Sequence, residues 1–261
     1  MLTAVRAEWT KQRTVAGPGL LLLAAAVGTI ALSAAASAAV NCPGVGCPAD
    51  PAESSLTGVL LGQTVIAVLA VLMIGTEYST GMIGCTLIAI PRRWQVLVAK
   101  AVVLVVPVLL AGGLAVLGSL VAGWLLLPGA GWQPGTANIG FPALAIGNGP
   151  TVRAAVGSVL YLALIALFSL GIATIVRSSA AAIGIVLGVL FVFPILAAVV
   201  TDPDWQRHLK QIAPSTAGLA IQSTTGLDYL PISPWAGLGV LGLWAAGALV
   251  VGAAVLQWRD V

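Results

Sequence analysis

The run Gly75-Thr-Glu-Tyr-Ser-Thr-Gly-Met-Ile-Gly-Cys-Thr-Leu-Ile-Ala-Ile-Pro-Arg-Arg-Trp-Gln-Val-Leu-Val-Ala-Lys100 decides how this chain is read. It holds Glu77, Arg92, Arg93 and Lys100 in a protein with only 7% charged residues, and long apolar segments flank it on both sides. A charged connection between two apolar runs reads as surface, with each run crossing a bilayer. The stretch is therefore expected to act as a lever on one membrane face: a short interfacial helix through which a partner outside the membrane pushes on the helices within it.

Composition supports the membrane reading throughout. Of 261 residues 59% are hydrophobic, and the mean hydropathy is +1.08. Soluble domains carry roughly a quarter charged residues. A spanning helix needs about 20 apolar residues to cross about 30 Å of hydrocarbon. The sequence predicts an all-α membrane protein of a single domain, 1–261, with six spans near 17–40, 56–74, 92–127, 152–176, 180–200 and 234–256. No length is left for a sizeable soluble domain. The 16–40 run also resembles a secretory signal, but it is longer than a signal core and is expected to stay as a helix.

Charge placement sets the orientation. Arg6, Lys11, Arg13, Arg92, Arg93, Lys100, Arg177 and Arg259 fall on one side of this layout, and only Arg153, Arg207 and Lys210 on the other. The side richer in basic residues is expected to be cytoplasmic. Both termini are then cytoplasmic, as six spans require. The net charge of +3 reflects this asymmetry rather than nucleic-acid binding, so no nucleic acid is expected as a partner.

The connections carry further expectations. Residues 1–15 place Leu2, Val5 and Trp9 at helical spacing, with Glu8 and Lys11 pointing away, as in a helix lying at the membrane surface. Ser79 to Ile90 is expected to form a short helix, with Pro91 opening the next. In the outer loop, Cys42 and Cys47 permit either a small-loop disulfide or two unpaired thiols. The 201–233 segment is too apolar for a free loop, since Trp205, Leu209 and Ile212 share a helical face; a partly re-entrant or interfacial cap is expected. Gly58-x-x-x-Gly62 and Gly184-x-x-x-Gly188 allow close helix approach, either along a path at a dimer axis or within one subunit. Gln63 is among the most polar residues at depth.

Several chemistries find no motif. The sequence has no His-Glu-x-x-His, no Gly-x-Ser-x-Gly and no Gly-x-x-x-x-Gly-Lys-Ser/Thr. Its one histidine, His208, sits among charges on the outer side. No catalytic or metal site is expected, and any ATP chemistry belongs to another subunit. The spans are read as essentially free of ionisable side chains, which argues against proton or sodium coupling.

Glu77-Tyr-Ser-Thr-Gly-Met-Ile83, Thr86-Leu87, Pro91-Arg92-Arg93 and Lys100 together resemble the signature of ABC-2 type transporter permeases, the compact actinobacterial-like six-span kind. Similar too are Ala7 to Arg13, the turn Val176 to Ala180, Ala213 to Gly218, and the end from Ser233 to Asp260. Gly84-Cys85 departs from the pattern, since a basic residue is common there in related chains. The resemblance implies a homodimer or heterodimer of permeases in a lipid bilayer, bound to two copies of an ABC ATPase subunit that holds the ATP and magnesium. This chain itself would bind no cofactor. Residues 1–15 would be the connecting helix, 75–91 the coupling region and 201–233 the re-entrant segment that closes the exit. Glu77, Tyr78, Gly81, Met82, Arg92 and Arg93 would couple to the ATPase. Gly58, Gly62, Gln63, Gly184 and Gly188 would line the path or pack the helices. The implied activity is export of an amphipathic or apolar molecule such as an antibiotic, a lantibiotic-like peptide or a lipid, with multidrug or antibiotic resistance as the outcome. A non-transporting membrane sensor or assembly protein and an ion-coupled carrier are the alternatives.

Overall fold

A computed structural model describes residues 2–40, 50–84, 93–127, 144 and 147–258. The described residues contain ten α-helices. They are α1 (Leu2–Thr14), α2 (Ala16–Ala39), α3 (Pro51–Ser55), α4 (Val59–Ser79), α5 (Arg93–Leu126), α6 (Gly149–Val176), α7 (Ser179–Val199), α8 (Pro203–Ile212), α9 (Pro214–Leu219) and α10 (Pro234–Trp258). Short 3-10 turns follow at Ala220–Gln222 and Leu227–Tyr229, and no strand occurs among the described residues. Six helices, α2, α4, α5, α6, α7 and α10, are long and apolar enough to cross a membrane.

Prolines and short polar caps place the starts. Asp50 caps α3 by accepting the Ala52 and Glu53 amides, Asp202 caps α8 through Asp204 and Trp205, and a proline opens the first turn of each. Pro214 and Pro234 open α9 and α10 in the same way. Such a proline costs nothing, because the first amides of a helix have no partner inside it.

The core forms around α4 and α6. In their most apolar windows 56% and 61% of residues are buried, against 17–33% for the other four long helices, whose remaining surface is left for lipid. Helix α6 packs against α4, α5, α7 and α10, while α2 closes one side against α4 and α5. Leu162, Ile165, Ala166, Phe168 and Leu170 of α6 are almost wholly inaccessible. Without a hydrophobic drive between helices in lipid, small residues decide how closely they pack. At Gly58 an added Cβ would overlap the Thr29 carbonyl, and the Gly58 amide donates to Ser33 Oγ at 3.0 Å; Gly62 meets Thr29 in the same seam.

One difference from the sequence reading has a physical cause. Helix α4 runs on through Ser79 instead of ending near Ile74, because Glu77 finds cationic partners there. Ser79 therefore belongs to the span and not to a separate helix. A turn at Thr80–Gly81 follows, with Gly81 at φ +71, and one helical turn begins at 82–84. The rest of the expected lever helix, including Cys85, lies outside the described residues, as do Arg92, Cys42 and Cys47.

The connection between α7 and α10 is more ordered than a loop. After α7 the chain forms α8 on the surface and then turns inward. Pro214, Ser215, Ala217, Gly218, Ala220, Ile221 and Gln222 are all buried against α6, α7 and α10. Pro194 lies inside α7 and has no amide to give, so the Leu190 carbonyl four residues earlier loses its helical donor. Ser215 Oγ donates to that carbonyl at 2.7 Å, and both residues are buried. The inward segment thus supplies the bond that the proline removed.

Candidate functional site

The site is built where the C-terminal ends of α4, α6 and α10 meet α1 and the start of α5. Three helices contribute its charges. Lys100, on the second turn of α5, is completely buried; its Nζ donates to both Glu8 oxygens at 3.0 Å and to Glu77 Oε1 at 2.8 Å. Lys11 also pairs with Glu77 Oε1. Glu8 and Lys11 come from α1, and Glu77 from the last turn of α4. Two carboxylates and two ammonium groups thus bind three helices into one unit with no net charge.

The sequence reading placed Glu77 and Lys100 on a surface and pointed Glu8 away from the apolar face of the first helix. The structure buries all three residues. Glu77 is 1% exposed, Lys100 0% and Glu8 9%. An isolated buried charge is prohibitively costly, whereas mutual pairing with additional hydrogen bonds makes burial tolerable. The cluster does not have to lie in hydrocarbon. Helix α5 has 34 residues, about 50 Å at 1.5 Å per residue, so the portion after Lys100 still exceeds the bilayer core.

Neighbouring contacts extend the same end. Gln12 Nε2 reaches Met73 Sδ at 3.1 Å, a second tie between α1 and α4. The Arg177 guanidinium lies over the Tyr78 ring, 5.7 Å from its centroid, and Nη2 donates to the Val255 carbonyl at 3.4 Å. Arg177 adopts a left-handed backbone, φ 60, which closes α6 and turns the chain sharply into α7. Arg93 Nη1 donates to the Leu256 carbonyl at 3.1 Å. Cationic side chains thereby meet the exposed carbonyls of the α10 C-terminus, where the helix dipole favours them.

The residues singled out from sequence separate by environment. Glu77 and Tyr78 face into the protein, Arg93 is half-buried against α10, Gly81 makes the turn and Met82 is 49% exposed. Gly58 and Gly62 pack against α2 of the same chain, while Gly184 and Gly188 on α7 have no neighbour within 4 Å of an added Cβ. Gln63 is buried and accepts a hydrogen bond from the buried Tyr161 hydroxyl of α6. Sequence reasoning missed the pairing of Glu8, Lys11 and Lys100 with Glu77. The available signal was an acidic residue in an otherwise basic first helix, together with charges of opposite sign at the facing ends of two apolar runs.

No group of three or more metal-ligating side chains occurs among the described residues. No family model matches the sequence, and no curated protein matches it either.

Proposed function

We propose that this chain is the membrane-spanning permease subunit of an ATP-driven ABC exporter, moving an amphipathic or apolar molecule outward by alternating access. One observation carries the reading: the buried Glu8–Lys100–Glu77–Lys11 cluster fastens α1 to the bases of α4 and α5, beside the 80–92 connection. A push on that face by a soluble partner would reach two spans together instead of bending one loop. Such a rigid junction suits a protein whose motion is driven from outside the bilayer.

In this reading α1 is the connecting helix, the 75–91 region docks with an ATPase subunit through exposed Met82 and the residues after it, and 201–233 is the re-entrant segment. Both termini are cytoplasmic, in keeping with the gathering of Lys11, Arg93, Lys100 and Arg177 at one end. Two permeases pair with two ATPase subunits, which bind ATP and magnesium. The apolar, largely uncharged spans suit an antibiotic, a lantibiotic-like peptide or a lipid.

The test is to purify the chain with its cytoplasmic partners and measure substrate-stimulated ATP hydrolysis. The reading expects an ATPase subunit to co-purify and hydrolysis to need both chains. Uptake into vesicles that follows a sodium or proton gradient without ATP would replace it with an ion-coupled carrier.

A further inference from the structure

The opposite end of the bundle carries a polar fastening that the charged cluster does not involve. Residues 214–225 form a strap laid into the helices, and its seat depends on close backbone approach. An added Cβ at Gly157 would run into the Ile221 side chain, one at Gly218 would stand 2.7 Å from the Tyr161 ring, and one at Gly237 would overlap the Ala217 carbonyl. At its first end Ser215 donates to the Leu190 carbonyl. At its second end the strap crosses to a distant part of the chain. Asp50, before α3, accepts hydrogen bonds from the Thr224 and Thr225 amides and from both threonine hydroxyls, at 2.7 Å from Thr224 Oγ1, 2.8 Å from the Thr225 amide and 3.3 Å from Thr225 Oγ1.

These contacts have the character of a fastening that can be undone. They are almost entirely polar, and a charged acceptor holding several donors is strong while shut. A small cleft lies beside them, with Asn148, Thr151 and Thr224 among apolar Pro51, Ala52, Leu144 and Pro150, and gives water an approach to these polar groups. Glu53 sits next to Asp50 and accepts from Ser223 Oγ at 3.3 Å, which places two carboxylates under one short stretch of chain. Arg153 Nη2 donates to the Ser223 carbonyl at 2.5 Å, and Gln222 Nε2 to Ser158 Oγ at 3.1 Å. Gly226, with φ +61, follows the clasped residues and turns the chain out of the strap.

We propose that Asp50 is a reversible clasp on the 214–225 strap, and that releasing it lets the strap lift from its seat over α6 while the helix bundle stays folded. Its use in passing cargo outward rests on the exporter reading above, but the clasp itself does not.

The reporter is a cysteine under the strap. In a chain with Cys42, Cys47 and Cys85 changed to serine, Ser158→Cys is introduced beneath Gln222, and Ser169→Cys is made separately at a buried position further along α6. Each is held in a lipid nanodisc and exposed to a water-soluble maleimide. Asp50→Asn and Asp50→Ala should raise the modification rate at 158 at least about tenfold, since losing even one charge-assisted hydrogen bond shifts opening by that much. The rate at 169 should not change. Oxidised Asp50→Cys/Thr224→Cys should return 158 to its slow rate. Unchanged labelling at 158 in both Asp50 variants overturns the clasp. So does an equal rise at 158 and 169, which would make Asp50 a residue of global stability. The labelling is read on this chain without any ATPase subunit, so it decides the clasp whether the exporter reading stands or fails at its own co-purification test.

Discussion

Replacing Lys100 with methionine removes the cation that holds Glu8 and Glu77 together while roughly keeping the side chain's length. Lys100 is fully buried and contacts three carboxylate oxygens, so none of these bonds is exchanged for one with bulk water. Two carboxylates then remain in a closed site with only Lys11 beside them. Breaking a buried pair by removing one partner costs about 3–5 kcal/mol, mostly the penalty on the charge left behind. At roughly 2–4 °C per kcal/mol for a chain of this size, the thermal midpoint should fall by about 6–20 °C. The assay is thermal unfolding of the purified protein in one detergent, followed by tryptophan fluorescence and size exclusion. The double variant Glu8→Gln/Lys100→Met leaves the Lys11–Glu77 pair as a neutral unit and should recover more than half of the loss. If Lys100→Met unfolds within about 2 °C of wild type, or if the second substitution makes matters worse, the cluster is not what binds α1 to the spans.

Three further outcomes follow from the geometry. Ser215→Ala leaves the buried Leu190 carbonyl without a donor and should cost about 1–3 kcal/mol in the same unfolding assay, whereas Ser215→Thr should keep most of the stability. Gly237→Ala drives a Cβ into the Ala217 backbone and should destabilise by about 1–3 kcal/mol, while Gly184→Ala and Gly188→Ala, which meet nothing in the chain, should leave the stability of the monomer unchanged or slightly higher. Glu53 holds its proton above the ordinary value of 4.5, chiefly because the chain packed around it partly desolvates its charge even though the residue keeps contact with solvent, and secondly because of the Asp50 carboxylate, with the Ser223 hydroxyl pulling the other way. The folded state therefore binds that proton more tightly than the unfolded chain, and the resulting stability is complete below pH 4.5 and lost as the pH rises through the folded value. Glu53→Gln should be more stable than wild type at pH 8, with the gap closing as the pH falls. A gap that is constant or widens toward acid contradicts the sign.

The six long helices were legible because each is an uninterrupted apolar run, and lipid leaves the backbone no alternative to helix there. Their limits agree with the sequence reading to within a few residues except where charge intervenes. Gly75 and Glu77 look like the end of a span when read alone, yet α4 continues because its partners sit 66 residues earlier, at Lys11, and 23 later, at Lys100. No local pattern encodes such a pairing. The same holds at the other end. The capping role of Asp50 went unread although Asp-Pro is a common helix start, and its second role depends on Thr224 and Thr225, 174 and 175 residues away. Gly58 and Gly62 left two uses open in the sequence, and it took the position of Thr29 to show that they face α2.

The missing amide at Pro194 has a bearing on biogenesis. When the fifth long helix enters the bilayer, the oxygen of Leu190 has lost its own donor, and the hydroxyl that will answer it has yet to leave the ribosome. That helix stays chemically incomplete until the polypeptide beyond it doubles back. Burial of the 214–225 strap is thus a late event in assembly, and a nascent chain halted before residue 215 should expose the defect to whatever quality control surveys the membrane.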